Sequence, residues 1–197
     1  KKVLESACGE GDLLIYIVDR YIVDCLNNNY DKKVIKNGLE NDIWGYDIDK
    51  ACCKKCSLRL DKVSKKYGIE GVKWSIRTDD SLRFCPIQQF DFIFGNPPYI
   101  TYRDLDEDDR NDLRMMYLSC NEGAFDYCYA FLEHDLSCLK SDGKLVYLIP
   151  SSIFKNVHAN NLRKLIHPYV TKIIDFTTQK LFGSILTSSA ILICENG

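Results

Sequence analysis

The chain has 197 residues, 46% of them hydrophobic, and a formal net charge of −2, which fits one domain able to bury a core without disulfide or metal staples. A balance this close to neutral excludes a globally basic nucleic-acid binder, so any DNA or RNA footprint is local or supplied by another domain. No apolar run reaches the ~18 residues of a membrane span, and ten cysteines scattered through apolar segments of a chain this long, with no signal peptide, read as buried thiols in a reducing cytoplasm.

In chain order, Lys1–Glu5 reads as a strand, Ser6-Ala7-Cys8-Gly9-Glu10-Gly11-Asp12 as a small-residue turn, and Leu13–Leu26 as an apolar helix. Strand, glycine loop and helix together let backbone approach a ligand closely, with a helix N-terminus available to an anionic group. The polar stretch Asn27–Asp42, rich in Asn and Lys, reads as a loop or insertion. Ile43–Asp49 reads as a second strand closing on acidic residues, followed by a helix over Lys50–Tyr67. An acidic residue at the end of the second strand is where doubly wound folds bind ribose hydroxyls.

A third strand, Val72–Arg77, ends in Thr78-Asp79-Asp80-Ser81-Leu82, and a fourth, Phe90–Phe94, runs into Gly95-Asn96-Pro97-Pro98-Tyr99. Two consecutive prolines remove two backbone donors and fix two φ angles, leaving a rigid segment with carbonyls able to accept. Four strands thus put polar or special residues at one edge of a sheet, where open parallel sheets bind ligands. Ile100–Glu122 holds the acidic run Asp104–Asp109 and reads as a solvated loop and helix face, with a substrate lid as the alternative. Phe125–Leu139 reads as a helix stopped near Gly143, Lys144–Ile149 as a fifth strand, Asn160–Ile166 as a helix, Lys172–Phe176 as a sixth strand, Leu181-Phe182-Gly183 as a loop and Ser189–Cys194 as a seventh strand.

The densest thiol group, Cys52-Cys53-Lys54-Lys55-Cys56, contains one CxxC and no second pair to complete four zinc ligands. His134, His158 and His167 lie near no nucleophile motif. No metal is expected.

With the glycine loop, the strand-end acids and Asn96-Pro97-Pro98-Tyr99 in this order, the chain resembles the DNA adenine-N6 methyltransferases that use S-adenosylmethionine. Within them it is similar to the gamma class, which includes the TaqI-type enzymes of restriction-modification systems. The resemblance implies an α/β, Rossmann-like methyltransferase fold: a mostly parallel seven-stranded sheet with an antiparallel C-terminal strand and helices on both faces. It implies that Glu5 and the backbone from Ala7 through Cys8 and Gly9 to Gly11 hold the methionine end of the cofactor. Asp47 would bind the ribose hydroxyls, Ile48 would pack on the cofactor's adenine, and Asp80, with Asp79 as the other candidate, would accept from that adenine's amine. Asn96, Pro97 and Tyr99 would act on the target amine, Asn96 also bordering the cofactor, while Tyr99 and Phe182 would stack on the flipped base.

Two departures stand out. Glu5-Ser6 replaces the family's more frequent Asp-Pro, keeping a carboxylate, and Asp12 follows Gly11 directly. The family's N-terminal cofactor-closing segment and C-terminal recognition domain do not fit in residues 1–197 beside the catalytic domain. The expected partners are double-stranded DNA with a flipped adenine and a recognition domain or subunit outside this chain. The same motif serves enzymes acting on RNA or protein glutamine, and a non-catalytic methyltransferase-like subunit is the reading from another class.

The chemistry explains the residue types. An aromatic amine is a poor nucleophile because its lone pair is delocalised into the ring. Acceptors at Asn96 Oδ1 and the Pro97 carbonyl would draw the nitrogen toward tetrahedral geometry and hold its developing positive charge more tightly in the transition state than in the ground state.

Overall fold

A computed structural model describes residues 1–83, 90–176 and 188–197. The chain is an α/β protein of two compact units, Lys1–Cys85 and Pro86–Gly197.

The first unit contains β1 (Val3–Glu5), α1 (Leu14–Asn27), α2 (Lys32–Asp42), β2 (Ile43–Asp47), α3 (Lys50–Lys66) and β3 (Ser75–Thr78). Its strands lie in the order β3-β2-β1 and all pair in parallel, Leu4 beside Trp44 and Trp44 beside Ser75. All three residues of β1 are buried, as a parallel strand covered on both faces requires. Helix α1 buries Leu14, Val18 and Ile22 at i, i+4 and i+8, one stripe of an amphipathic helix.

The polar stretch expected to be a loop is largely helical. Asp31 caps α2 by accepting from the Val34 amide at 2.9 Å, and Ile35 and Leu39 are the helix's buried residues. Two buried apolar residues spaced i, i+4 dock a helix whose other positions are exposed or half-buried.

The second unit contains β4 (Phe90–Gly95), α4 (Glu107–Met116), α5 (Cys128–Cys138), β5 (Leu139–Pro150), α6 (Asn160–Ile166), β6 (Val170–Asp175) and β7 (Ser189–Asn196). Its strand order is β4-β5-β7-β6. β4 and β5 are parallel, whereas β7 runs antiparallel to both β5 and β6. Among the described strands β7 is the one that runs antiparallel to its neighbours, and the other described pairs within each unit are parallel, in keeping with the expected mostly parallel α/β fold with an antiparallel C-terminal strand. Helix α5 is buried at nine positions, so it is a core helix rather than a surface one.

Gly143 does not stop a helix. Helix α5 ends at Cys138, and Gly143 lies inside β5, where the pairing slips between Phe90 and Phe92. A Cβ there would sit 2.8 Å from the Lys140 carbonyl oxygen, so close backbone approach at the bulge is what needs glycine. The acidic run opens α4: Asp106 accepts from the Asp109 amide at 2.8 Å, and Glu107, Asp108 and Asp109 occupy the first turn, the sign that the helix dipole favours. Among the described residues, no helix is long and apolar enough to cross a membrane.

Candidate active site

The first unit carries the expected cofactor-binding residues. Glu5 ends β1, is only 3% exposed, and its Oε2 is buried with no hydrogen-bond partner among the described residues. Burial, reinforced by Cys56, Asp12 and Asp47, raises its pKa well above the ordinary carboxyl value. A buried carboxylate oxygen with no donor is costly unless a ligand supplies one. The ammonium of an amino-acid moiety would supply both the donor and the counter-charge.

The loop beyond Glu5 is shaped by two left-handed glycines. Gly9 has φ +51°, and a Cβ there would meet nothing within 4 Å, so its backbone borders open space. Gly11 has φ +82°, and its Cβ would lie 2.6 Å from Cys56 Sγ. One glycine leaves room beside the backbone and the other lets the loop rest on α3.

Asp47, the last residue of β2, reaches across to this loop. Its Oδ2 accepts from the Gly9 amide at 2.8 Å and its Oδ1 from the Asp49 amide at 2.9 Å. A carboxylate has lone pairs left after two such bonds, so Asp47 can both brace the loop and accept from a hydroxyl. Ile48 is 76% exposed, an apolar side chain standing in solvent beside that carboxylate. Asp49 is a helix cap, accepting from Ala51 and Cys52 at 2.6 and 3.3 Å. Asp80 accepts from the Leu82 amide at 3.0 Å and pairs with Arg83 Nε at 3.1 Å, whereas Asp79 is exposed and accepts from the Asp80 amide at 3.1 Å.

Several residues that hold the loop escape sequence reasoning. Arg59 donates to the Glu10 carbonyl at 3.0 Å and to Asp12 Oδ1 at 2.6 Å, and Lys55 pairs with Glu10 Oε1 at 2.7 Å. Cys8 and Cys56 are buried, the Cys8 thiol donating to the Gly9 carbonyl at 3.8 Å. The Arg59 and Lys55 contacts join residues 45 to 49 apart in the chain. A periodic run on α3 announces its buried face and not what that face touches.

The second unit carries the residues expected to clamp the target amine. β4 ends at Gly95 and delivers Asn96 exposed, Pro97 buried and Tyr99 40% exposed. Tyr99 donates its hydroxyl to the Leu148 carbonyl at 3.0 Å, and burial raises its pKa. Beyond it the chain is held again: the Tyr127 amide donates to the Ile100 carbonyl at 2.9 Å, and Thr101 bridges to Asp126. Helix α4 secures the next residue, with the Arg110 and Arg114 guanidinium carbons 4.6 and 5.2 Å from the Tyr102 ring centroid. Asn96 is therefore carried on a segment fixed on both sides. Phe182, the other expected stacking residue, lies outside the described residues.

Among the described residues, one cluster offers metal-ligating atoms within 4.8 Å of one another: His134, Asp135 and Cys138 on α5. The group is buried and knit by hydrogen bonds, with His134 Nδ1 2.9 Å from Asp135 Oδ1, Cys138 Sγ 3.9 Å from His134 Nε2, and Tyr147 donating to Asp135 Oδ2. The Cys52–Cys56 segment lies in α3, with Cys53 and Cys56 turned inward.

Residues 24–182 match the model of a protein family described as Eco57I restriction-modification methylase. The chain is 32% identical over 108 residues to the type II methyltransferase M.HincII of Haemophilus influenzae, covering 52% of this chain and 21% of that protein. It is 26% identical over 175 residues to M.BstVI of Geobacillus stearothermophilus, covering 84% and 31% respectively. The chain thus spans about a fifth to a third of the length of these relatives. Among solved structures, the M protein of the type I restriction enzyme EcoKI superposes with a TM-score of 0.71 at 14% identity, over 100% of this chain and 40% of that one. At that identity the likeness speaks for the fold, that of the class I S-adenosylmethionine-dependent methyltransferases, which another match names at a TM-score of 0.70.

Proposed function

Because the chain belongs to the Eco57I restriction-modification methylase family, we propose that it is the catalytic portion of a gamma-class DNA methyltransferase acting on the N6 amine of adenine. The observation that carries this reading is Asn96-Pro97-Pro98-Tyr99 at the end of β4, with Asn96 exposed and Tyr99 anchored to β5.

Glu5, with the Ala7–Gly11 backbone, holds the amino-acid end of S-adenosylmethionine. Asp47 accepts from its ribose, Ile48 covers its adenine, and Asp80 accepts from that adenine's amine. The orphaned Glu5 oxygen, the open space beside Gly9 and the exposed Ile48 support this assignment. When bound, the cofactor supplies an electrophilic sulfonium methyl.

Asn96 Oδ1 and the Pro97 carbonyl accept the two N–H groups of the target amine and turn its lone pair away from ring conjugation. With its lone pair so freed, that nitrogen would be the nucleophile toward the methyl group that the bound cofactor would supply. The ammonium that results is acidic and gives its extra proton to solvent without a strong base. Tyr99 stacks on the extruded base, with Phe182 assigned the opposite face. Stacking worth about 1–3 kcal/mol per base offsets much of the cost of flipping. Choice of site falls to a recognition domain or subunit outside residues 1–197, consistent with the larger size of the relatives.

The test is Asn96→Ala in the intact enzyme, assayed with labelled cofactor. Loss of about 2 kcal/mol of transition-state stabilisation, the worth of a hydrogen bond to a charged group, lowers turnover roughly 30-fold while cofactor affinity stays unchanged. Near-wild-type turnover removes Asn96 from the mechanism.

A further inference from the structure

Gly95, the residue immediately before Asn96, pairs with Tyr147 across β4 and β5. A Cβ on Gly95 would stand 3.2 Å from Tyr147 Cε1, so the aromatic ring occupies the space beside the backbone from which the clamp springs. The next residue of β5, Leu148, receives the Tyr99 hydroxyl. The clamp is therefore referenced at both ends to two consecutive residues of one strand.

Tyr147 is itself fixed from below. It is 1% exposed and donates to Asp135, which is 0% exposed and bonded in turn to His134. Burial disfavours the charged imidazole, but the hydrogen bonds to Asp135 and Cys138 outweigh it and hold the His134 pKa at about 10. A buried ionic network is a poor way to gain stability, because desolvation offsets most of the attraction, and its best-attested use is to fix one arrangement. Here the arrangement that it fixes is the ring against Gly95.

We propose that Tyr147, tethered through Asp135 to His134, is a positioning residue for the amine clamp, setting where Gly95 and hence the Asn96 carboxamide sit. This rests on the reading of Asn96 as the amine acceptor. Small displacements at a reacting centre are expensive, about 100-fold in rate for 1 Å, so a tether that removes a fraction of an ångström of play acts on turnover rather than on binding.

The experiment measures kcat, KM for DNA, cofactor affinity and melting temperature in the intact enzyme for wild type, Tyr147→Phe, Gly95→Ala and the double variant. Tyr147→Phe keeps the ring and loses the tether; its kcat should fall about tenfold with KM and cofactor affinity unchanged. Gly95→Ala pushes against a tethered ring and lowers kcat further. In the double variant the untethered ring yields, so the combined loss is smaller than the product of the single losses. An unchanged kcat in Tyr147→Phe, or losses that multiply independently, overturns the positioning role. Should Tyr147→Phe not fold, Asp135→Asn tests the same tether, with the same kcat-specific loss expected and an unchanged kcat contradicting it. Absence of methyl transfer to adenine by the wild-type enzyme overturns the functional reading and this inference with it. Wild-type transfer with an unimpaired variant overturns this inference alone.

Discussion

At the residue scale, Glu5 separates binding from stability. Its folded pKa is raised, with burial the principal cause, so the unfolded chain releases this proton at a lower pH than the folded chain does. Its contribution is therefore fully present below about pH 4.5, the ordinary value, and is lost as the pH climbs toward the folded value. Glu5→Gln should remove that pH-dependent loss and so raise the melting temperature of the ligand-free fold at neutral pH relative to wild type. The same variant should bind S-adenosylmethionine more weakly by calorimetry. A Gln variant that melts lower and binds as tightly would show that Glu5 has a partner within the protein. Its carboxylate was legible in the sequence as a replacement for Asp; its missing donor was not, because a strand-end residue does not declare what surrounds it.

At the element scale, the glycine loop and the α2 segment show what the sequence could and could not announce. Gly11→Ala must place a side chain at φ +82° and within 2.6 Å of Cys56 Sγ, so it should cost more than ~1 kcal/mol in denaturant titration and weaken cofactor binding. A neutral result would mean that the loop does not rest on α3. Asp31→Ala should cost about 1 kcal/mol through the lost cap, and Leu39→Ala about 2–5 kcal/mol through the cavity, both read from urea midpoints. Neither loss would occur if residues 32–42 were an unstructured insertion.

That helix was hidden because only Ile35 and Leu39 mark its buried face and the capping Asp31 is one polar residue among many. The strands were readable because their apolar runs are short, contiguous and closed by turn chemistry, as in Phe90–Phe94 before Asn96-Pro97. The start of β5 was misplaced for a definite reason: Gly143 serves a bulge within the strand, and a glycine after a helical pattern has the same signature in either role. Glu5, Gly9, Gly11, Asp47 and Asn96 were all visible from sequence. Arg59, Cys56 and Tyr147 were not, because each acts through a contact with a distant segment.

At the scale of the whole molecule, a net charge of −2 leaves little of the phosphate attraction that dominates DNA affinity. Residues 1–197 alone should bind duplex DNA weakly and methylate it poorly, and the intact enzyme should bind it tightly and methylate it efficiently. Tight, site-specific methylation by this segment alone would place recognition inside it. The central claim is tested most directly by incubating the intact enzyme with labelled S-adenosylmethionine and duplex DNA, RNA or protein, then identifying the methylated product by nucleoside or peptide mass spectrometry. The account predicts N6-methyladenine in DNA, falling roughly 30-fold in Asn96→Ala. N4-methylcytosine, or methylation of RNA or protein glutamine with DNA untouched, would contradict it.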